Sequence, residues 1–153
     1  MNETSAPMPI IGWREWVSLP DLGVKFTKAK VDTGARSSSL HAFDIETFDK
    51  DSEQWVRFKI FPKQRSEGRV VDVEAPVLEH RSIRSSNGKS ELRPVILTTC
   101  RVLKRTIQVE LTLADRQKMG FRMLLGREAI RSNFLVDSGR SFLGGKPKRK
   151  KPQ

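Results

Sequence analysis

Apolar and polar residues alternate along much of this chain. Between Trp55 and Phe61, Val56, Phe58 and Ile60 share one face while Arg57 and Lys59 share the other. The pattern returns further on, with Ile107, Val109, Leu111 and Leu113 set against Gln108, Glu110 and Thr112. A period of two marks half-buried strands, because successive side chains of a strand point to opposite faces. Val70 to Leu78 and Val95 to Thr99 are β-branched enough to add two more. Turn signals separate the runs: Pro20-Asp21-Leu22-Gly23, Asp49-Lys50-Asp51-Ser52, Ser66-Glu67-Gly68 and Asn87-Gly88. Helical pattern is scarce. Arg127 to Ser132, following Gly126, is the best candidate, with Glu128 suited to a helix N-terminus, and Leu113 to Met119 offers one further turn. Many short strands at regular spacing predict an all-β fold, a barrel or a sandwich.

One expected hairpin stands apart. Asn87-Gly88, a preferred two-residue type I′ turn, lies between Arg84 and Glu91. Arg81, Arg84, Lys89 and Arg93 fall on or near it. A plain hairpin with solvated charges is one reading and a lid over a substrate is the other.

Length and charge narrow the function. A chain of 153 residues reads as one domain with a real core and no need of staples. We expect a structured region over residues 11–144, a flexible N-terminus over 1–10 and a disordered basic tail over 145–153. Cys100 is the single cysteine, so a reducing compartment is expected. The first residues, Met1 to Pro9, carry no apolar signal region, and no apolar run reaches the roughly 20 residues a membrane helix needs. A soluble cytoplasmic protein without membrane contact is the expectation. The net charge is +11, and removing the five basic residues of Lys146 to Lys151 leaves +6. Such a field favours acidic partners: nucleic acid, an anionic surface or a polyacidic peptide. The tail reads either as a solubilising end or as a contact to RNA or the ribosome.

The candidate chemistry sits at Lys30-Val31-Asp32-Thr33-Gly34-Ala35-Arg36-Ser37, an Asp-Thr-Gly-Ala tetrad directly after a strand-like run. An aspartic peptidase needs a carboxylate on a tight loop at a strand end. A Thr hydroxyl can brace that loop, Gly lets the backbone pass close to the carboxylate, and a small residue leaves room for a peptide. Downstream, Met123-Leu124-Leu125-Gly126-Arg127-Glu128 places an apolar strand ending in Gly before Arg and the expected helix. With these two motifs together, the chain resembles the retropepsin-like aspartic peptidases. More closely, residues 30–42 (KVDTGARSSSLHA), 84–95 (RSSNGKSELRPV), 120–128 (GFRMLLGRE) and 134–144 (FLVDSGRSFLG) resemble the bacterial family usually labelled ATP-dependent zinc proteases. Members of that family are read as retropepsin-like and often accompany ligases that add glutamate to ribosomal protein tails. The resemblance covers roughly residues 11–143. It implies an acid-protease barrel with one short C-terminal helix, and a β-hairpin flap at Asn87-Gly88. It also implies a catalytic set of Asp32, Thr33 and Gly34, with Ala35, Arg36, Arg81, Arg84, Asn87, Gly88 and Arg93 meeting the substrate.

Two carboxylates held close share one proton, which is what such a reaction needs. Asp137-Ser138-Gly139 is a variant of the same triad, but 16 residues after Asp137 are too few for a second lobe. Asp137 is expected to cap a turn before a final strand at Ser141 to Leu143. The expected solution is a homodimer in which each chain gives one Asp32. Lys28, Lys30 and Arg36 flank that residue, and with the hairpin arginines they favour a substrate rich in Asp or Glu, such as a glutamate tail. No cofactor is expected. His41 and His80 stand far apart without metal-ligand spacing, and Gly139 to Lys146 misses a phosphate loop by one residue and by Pro147. Two alternatives stay open: a non-catalytic ribosome- or RNA-binding module on a peptidase-like fold, and a zinc-dependent peptidase.

Overall fold

The computed structural model describes residues 7–61, 69–84, 88–116 and 120–146. Twelve strands and one short helix follow in order. They are β1 (Ile10–Gly12), β2 (Arg14–Leu19), β3 (Val24–Asp32), β4 (Ser38–His41), β5 (Phe43–Lys50), β6 (Glu53–Ile60) and β7 (Val71–Pro76). Then come β8 (Glu79–Arg84), β9 (Ser90–Val102), β10 (Arg105–Ala114), β11 (Met123–Gly126), α1 (Arg127–Ile130) and β12 (Leu135–Asp137). A single 3-10 turn at Pro20–Leu22 links β2 to β3 and ends on Gly23, whose φ of 77° suits glycine.

The principal sheet runs β10-β4-β11-β3-β2-β9-β8, and β10 also pairs with β9. That extra pairing closes six strands on themselves and leaves β8 as an appended edge, so the fold is the expected acid-protease barrel. The expected alternation is obeyed: Val56, Phe58 and Ile60 are buried, as are Ile107, Val109, Leu111 and Leu113. The β5-β6-β7 meander adds Val56, Phe58, Val73 and Ala75 to the same apolar cluster as the barrel interior. Burying a side chain such as Phe58 contributes about 2–3 kcal/mol. A third sheet, of parallel β1 and β12, leaves Ile10, Leu135 and Val136 with 46%, 59% and 37% of their surface exposed.

Two local expectations are corrected. Leu113 and Ala114 belong to β10 rather than to a helical turn, since the alternation that begins at Ile107 carries on to the buried Leu113. No strand forms at Ser141 to Leu143. Those backbone N–H groups are held elsewhere: Phe142 donates to the Arg14 carbonyl (2.9 Å) and Leu143 to the Glu15 carboxylate (3.0 Å). The expected hairpin is present as β8 and β9, whose last described pair is Arg84 with Ser90. Asn87 and the Ser66-Glu67-Gly68 turn signal lie outside the described residues. No described helix is long and apolar enough to cross a membrane.

Candidate active site

Asp32 closes β3 in the middle of the closed sheet, with Gly126 of β11 opposite it. Its Oδ1 accepts the Gly34 N–H at 3.0 Å, and its carbonyl accepts the Ala35 N–H at 3.2 Å. The short acidic side chain thus folds the chain back over itself, as Asx turns do. Gly34 suits this position because a Cβ there would lie 3.2 Å from that same Oδ1.

The loop that follows is tied down from the other motif. The Arg127 N–H donates to the Ala35 carbonyl (2.7 Å) and the Glu128 N–H to the Arg36 carbonyl (3.0 Å). The Arg127 guanidinium reaches the Thr33 carbonyl at 2.9 Å, and the Gly126 N–H reaches Ser38 Oγ at 3.0 Å. The first N–H groups of a helix lack intrahelical partners. Here α1 uses them to hold the aspartate loop, so the two motifs form one structural unit. The Thr33 hydroxyl, expected to brace the loop, is exposed and makes no hydrogen bond among the described residues. Arg127 and the Gly34 amide do that work instead.

A cavity of about 850 Å³ opens beside this loop. Arg36, Ser37 and Ser38 form one wall, Arg81 and Ile83 of β8 another, and Glu110 of β10 and Glu128 of α1 complete it. Of the expected substrate contacts, Arg36 and Arg81 meet here. Arg84, Gly88 and Arg93 lie on the β8–β9 hairpin without lining the cavity.

The charges differ from the expectation of an open basic cleft. Arg81 is bonded to both Glu79 and Glu110. Burial opposes its charge, but the bonds to Glu110 and Glu79 outweigh this and hold the guanidinium above its ordinary value. Arg93, opposite Arg81 on the neighbouring strand, is paired with Glu91 at 2.5 Å. Lys28 lies over the rings of Trp16 and Phe142. Arg36 is therefore the cavity's exposed cation without an acid partner among the described residues.

Arg116 was not visible in the sequence pattern. Its Nε donates to the Phe121 carbonyl (3.2 Å) and its Nη1 to Ser39 Oγ (3.1 Å), on the strand that follows the aspartate loop. Burial pushes the guanidinium below its ordinary value, and the negative charge of Asp32 pulls the other way. Arg116 is thus a countercharge to Asp32 within the chain. The only sequence cue is its place two residues after the end of β10, which pairs in parallel with β4. Its backbone N–H donates to His41 Nδ1 at 2.8 Å, so the buried imidazole accepts there as the neutral form. Burial lowers the His41 pKa, Asp115 at 3.6 Å opposes this, and Arg122 and Arg116 add to the lowering.

Other candidate groups lie apart from this loop. His80 is exposed on β8. Cys100 is buried in the core, where desolvation pushes its thiol up to about 12. Among the described residues no three His, Cys, Asp or Glu side chains converge as metal ligands would. Asp137 ends β12 and accepts the Gly139 N–H at 3.0 Å, repeating in miniature the turn of Asp32, but on the sheet formed with β1.

Residues 10–147 match the family described as RimB-like, retropepsin-like aspartic endopeptidase RimB. A protein of Desulfotalea psychrophila and one of Shewanella pealeana, each described as a probable alpha-L-glutamate ligase, are both 47% identical to the chain. The matches cover 84% and 89% of this chain but 28% and 30% of those proteins, so it spans less than a third of their length. A crystal structure of a Legionella pneumophila protein of unknown function superimposes with a TM-score of 0.75 at 28% identity. That match covers 89% of this chain and 98% of the other.

Proposed function

The chain belongs to the RimB-like family of retropepsin-like aspartic endopeptidases, and from that premise we propose that it hydrolyses peptide bonds through Asp32. The observation that carries the reading is the clamped turn: a carboxylate at a strand end, with its loop carbonyls bonded to Gly126-Arg127-Glu128. Fixing the reacting group in advance is what makes such a site effective.

The chemistry needs a second carboxylate, and a second copy of the chain supplies it. Two Asp32 side chains facing each other across a two-fold axis share one proton, because both cannot ionise at that distance. The ionised one takes a proton from water, whose oxygen attacks the peptide carbonyl. The protonated one donates to the developing oxyanion. Collapse of the tetrahedral intermediate breaks the C–N bond, and the leaving amine takes the proton that the first aspartate accepted from water. The exposed apolar residues of β1 and β12, Ile10, Leu135 and Val136, are suited to contact with that second copy.

The substrate proposed is an acidic, glutamate-rich tail of a cytoplasmic protein, such as a ribosomal protein. Two observations support it. Relatives of this domain occur within proteins described as probable glutamate ligases, whose product such a peptidase would cut. Arg36, without an acid partner among the described residues, also offers its guanidinium to a substrate carboxylate at the cavity wall.

The test is cleavage of a glutamate-rich peptide by the wild type and by Asp32→Asn. That variant keeps the shape and the Gly34 hydrogen bond but removes the ionisable group. Loss of cleavage with unchanged folding and an unchanged solution mass, that of a dimer, is the expected result. Activity that survives the substitution overturns the aspartic mechanism, and equal cleavage of a glutamine-substituted peptide overturns the substrate.

A further inference from the structure

A second cavity, of about 180 Å³, has the opposite electrical character. It forms where β2, the start of β3, the β9–β10 turn and the segment Gly144–Lys146 come together. Lys25, Arg101, Lys104 and Lys146 line it, with Trp16 and Phe26 among its apolar walls, and no carboxylate is in the lining. None of the four cations forms an ion pair among the described residues. The large cavity, by contrast, sets Glu79, Glu110 and Glu128 against Arg36 and Arg81.

We infer that this groove is a docking site for single-stranded nucleic acid. Four like charges brought together from separate segments repel one another, and a polyanion with regularly spaced charges relieves that repulsion. Aromatic rings beside the cations favour a polyanion that carries flat bases over a plain acidic peptide. Trp16 is itself stacked on Phe142, at 5.9 Å between centroids, and meets Phe26 edge to face at 5.5 Å, so the cations border an aromatic cluster. In the sequence, Lys148, Arg149, Lys150 and Lys151 follow Lys146 after Pro147, which adds to the basic character of this end of the chain.

The site is separate from the aspartate. Lys25 is the second residue of β3 and Asp32 the last, and at about 3.3 Å per residue the two stand about 23 Å apart. Occupying one therefore leaves the other free, and the inference stands whether or not the chain cleaves peptides.

The experiment is fluorescence anisotropy with 12-nucleotide oligouridine and oligothymidine, titrated with full-length Asp32→Asn protein at several salt concentrations. Binding that weakens steeply with salt is expected, with a slope reflecting about three to four phosphate contacts. Lys25→Glu/Arg101→Glu/Lys104→Glu is expected to lose at least about tenfold in affinity and most of that slope. Lys50→Glu/Arg57→Glu/Lys59→Glu, with the same charge change on β5 and β6, is expected to stay within about threefold. If the first triple variant unfolds, its glutamine counterpart takes its place, with a loss of at least about fivefold expected. Absent binding, equal losses in the two triple variants, or tighter binding of an oligoglutamate of equal charge would each overturn the assignment.

Discussion

Gly126 faces Asp32 across neighbouring parallel strands, and a Cβ on it would lie 2.4 Å from the Ser37 carbonyl oxygen and 3.0 Å from that of Ala35. The strand that follows Met123 and the loop that follows Asp32 touch backbone to backbone. This contact lets α1 reach the loop carbonyls.

Gly126→Ala is therefore expected to push the loop away from β11. Overpacking of this kind costs about 1–3 kcal/mol of stability. A shift near 1 Å at a catalytic group lowers rate on the order of 100-fold. Thermal unfolding together with peptide cleavage checks this, and a loss of activity far exceeding the loss of folded protein is the signature.

Neutralising one wall of the cavity is expected to help an acidic substrate. Glu110 is one of two carboxylates bonded to Arg81, so Glu110→Gln leaves that guanidinium with Glu79 alone and removes a charge that repels an acidic substrate. KM for a glutamate-rich peptide is expected to fall about fivefold, equivalent to ~1 kcal/mol, with kcat little changed. The glutamine version of the peptide serves as control, and its KM is expected to stay level.

Glu15 is fully buried and accepts three backbone N–H groups: Gly12 at 2.8 Å, Leu143 at 3.0 Å and Gly144 at 3.1 Å. It straps the segment after β12 onto β2. Glu15→Gln keeps the size but turns a donor toward donors, so a loss of about 2–4 kcal/mol is expected. Urea unfolding measures it, and a change below ~1 kcal/mol would count against the strap.

The neutral His41 implies a dependence on pH. Its folded pKa lies below its unfolded value, near 6.5, so the unfolded chain binds the extra proton first as pH falls. This contribution is fully present above about pH 6.5 and is lost as the pH drops toward the folded pKa, with a slope of at most ~1.4 kcal/mol per unit. His41→Asn, which still offers an acceptor to the Arg116 N–H, is expected to flatten the dependence of stability on pH just below about 6.5. Denaturant midpoints across that range test the difference.

Much of this molecule is legible in its residues because the signals are local. Alternation at Val56, Phe58 and Ile60 and at Ile107 to Leu113 marks strands, since one face of each must leave water. Asp32-Thr33-Gly34 contains its own turn, closed by a side chain two residues from the amide it accepts. Turns without special residues are harder to see. Leu103 and Lys104 both adopt positive φ, 53° and 63°, in a two-residue turn between Val102 and Arg105 that carries neither Asn nor Gly. The long β9–β10 ladder imposes that conformation in spite of its local cost.

Local chemistry in the chain determined that strands would form, where the aspartate turn would stand, and that the protein would be basic. Only the folded arrangement decided which charges survive unpaired. Arg81 finds Glu110 through the sheet register, Arg116 comes near an aspartate 84 positions earlier in the chain, and Lys25, Arg101, Lys104 and Lys146 converge on one groove. Electrostatic interaction falls off with distance through space, and distances between remote segments come into being only when the barrel closes.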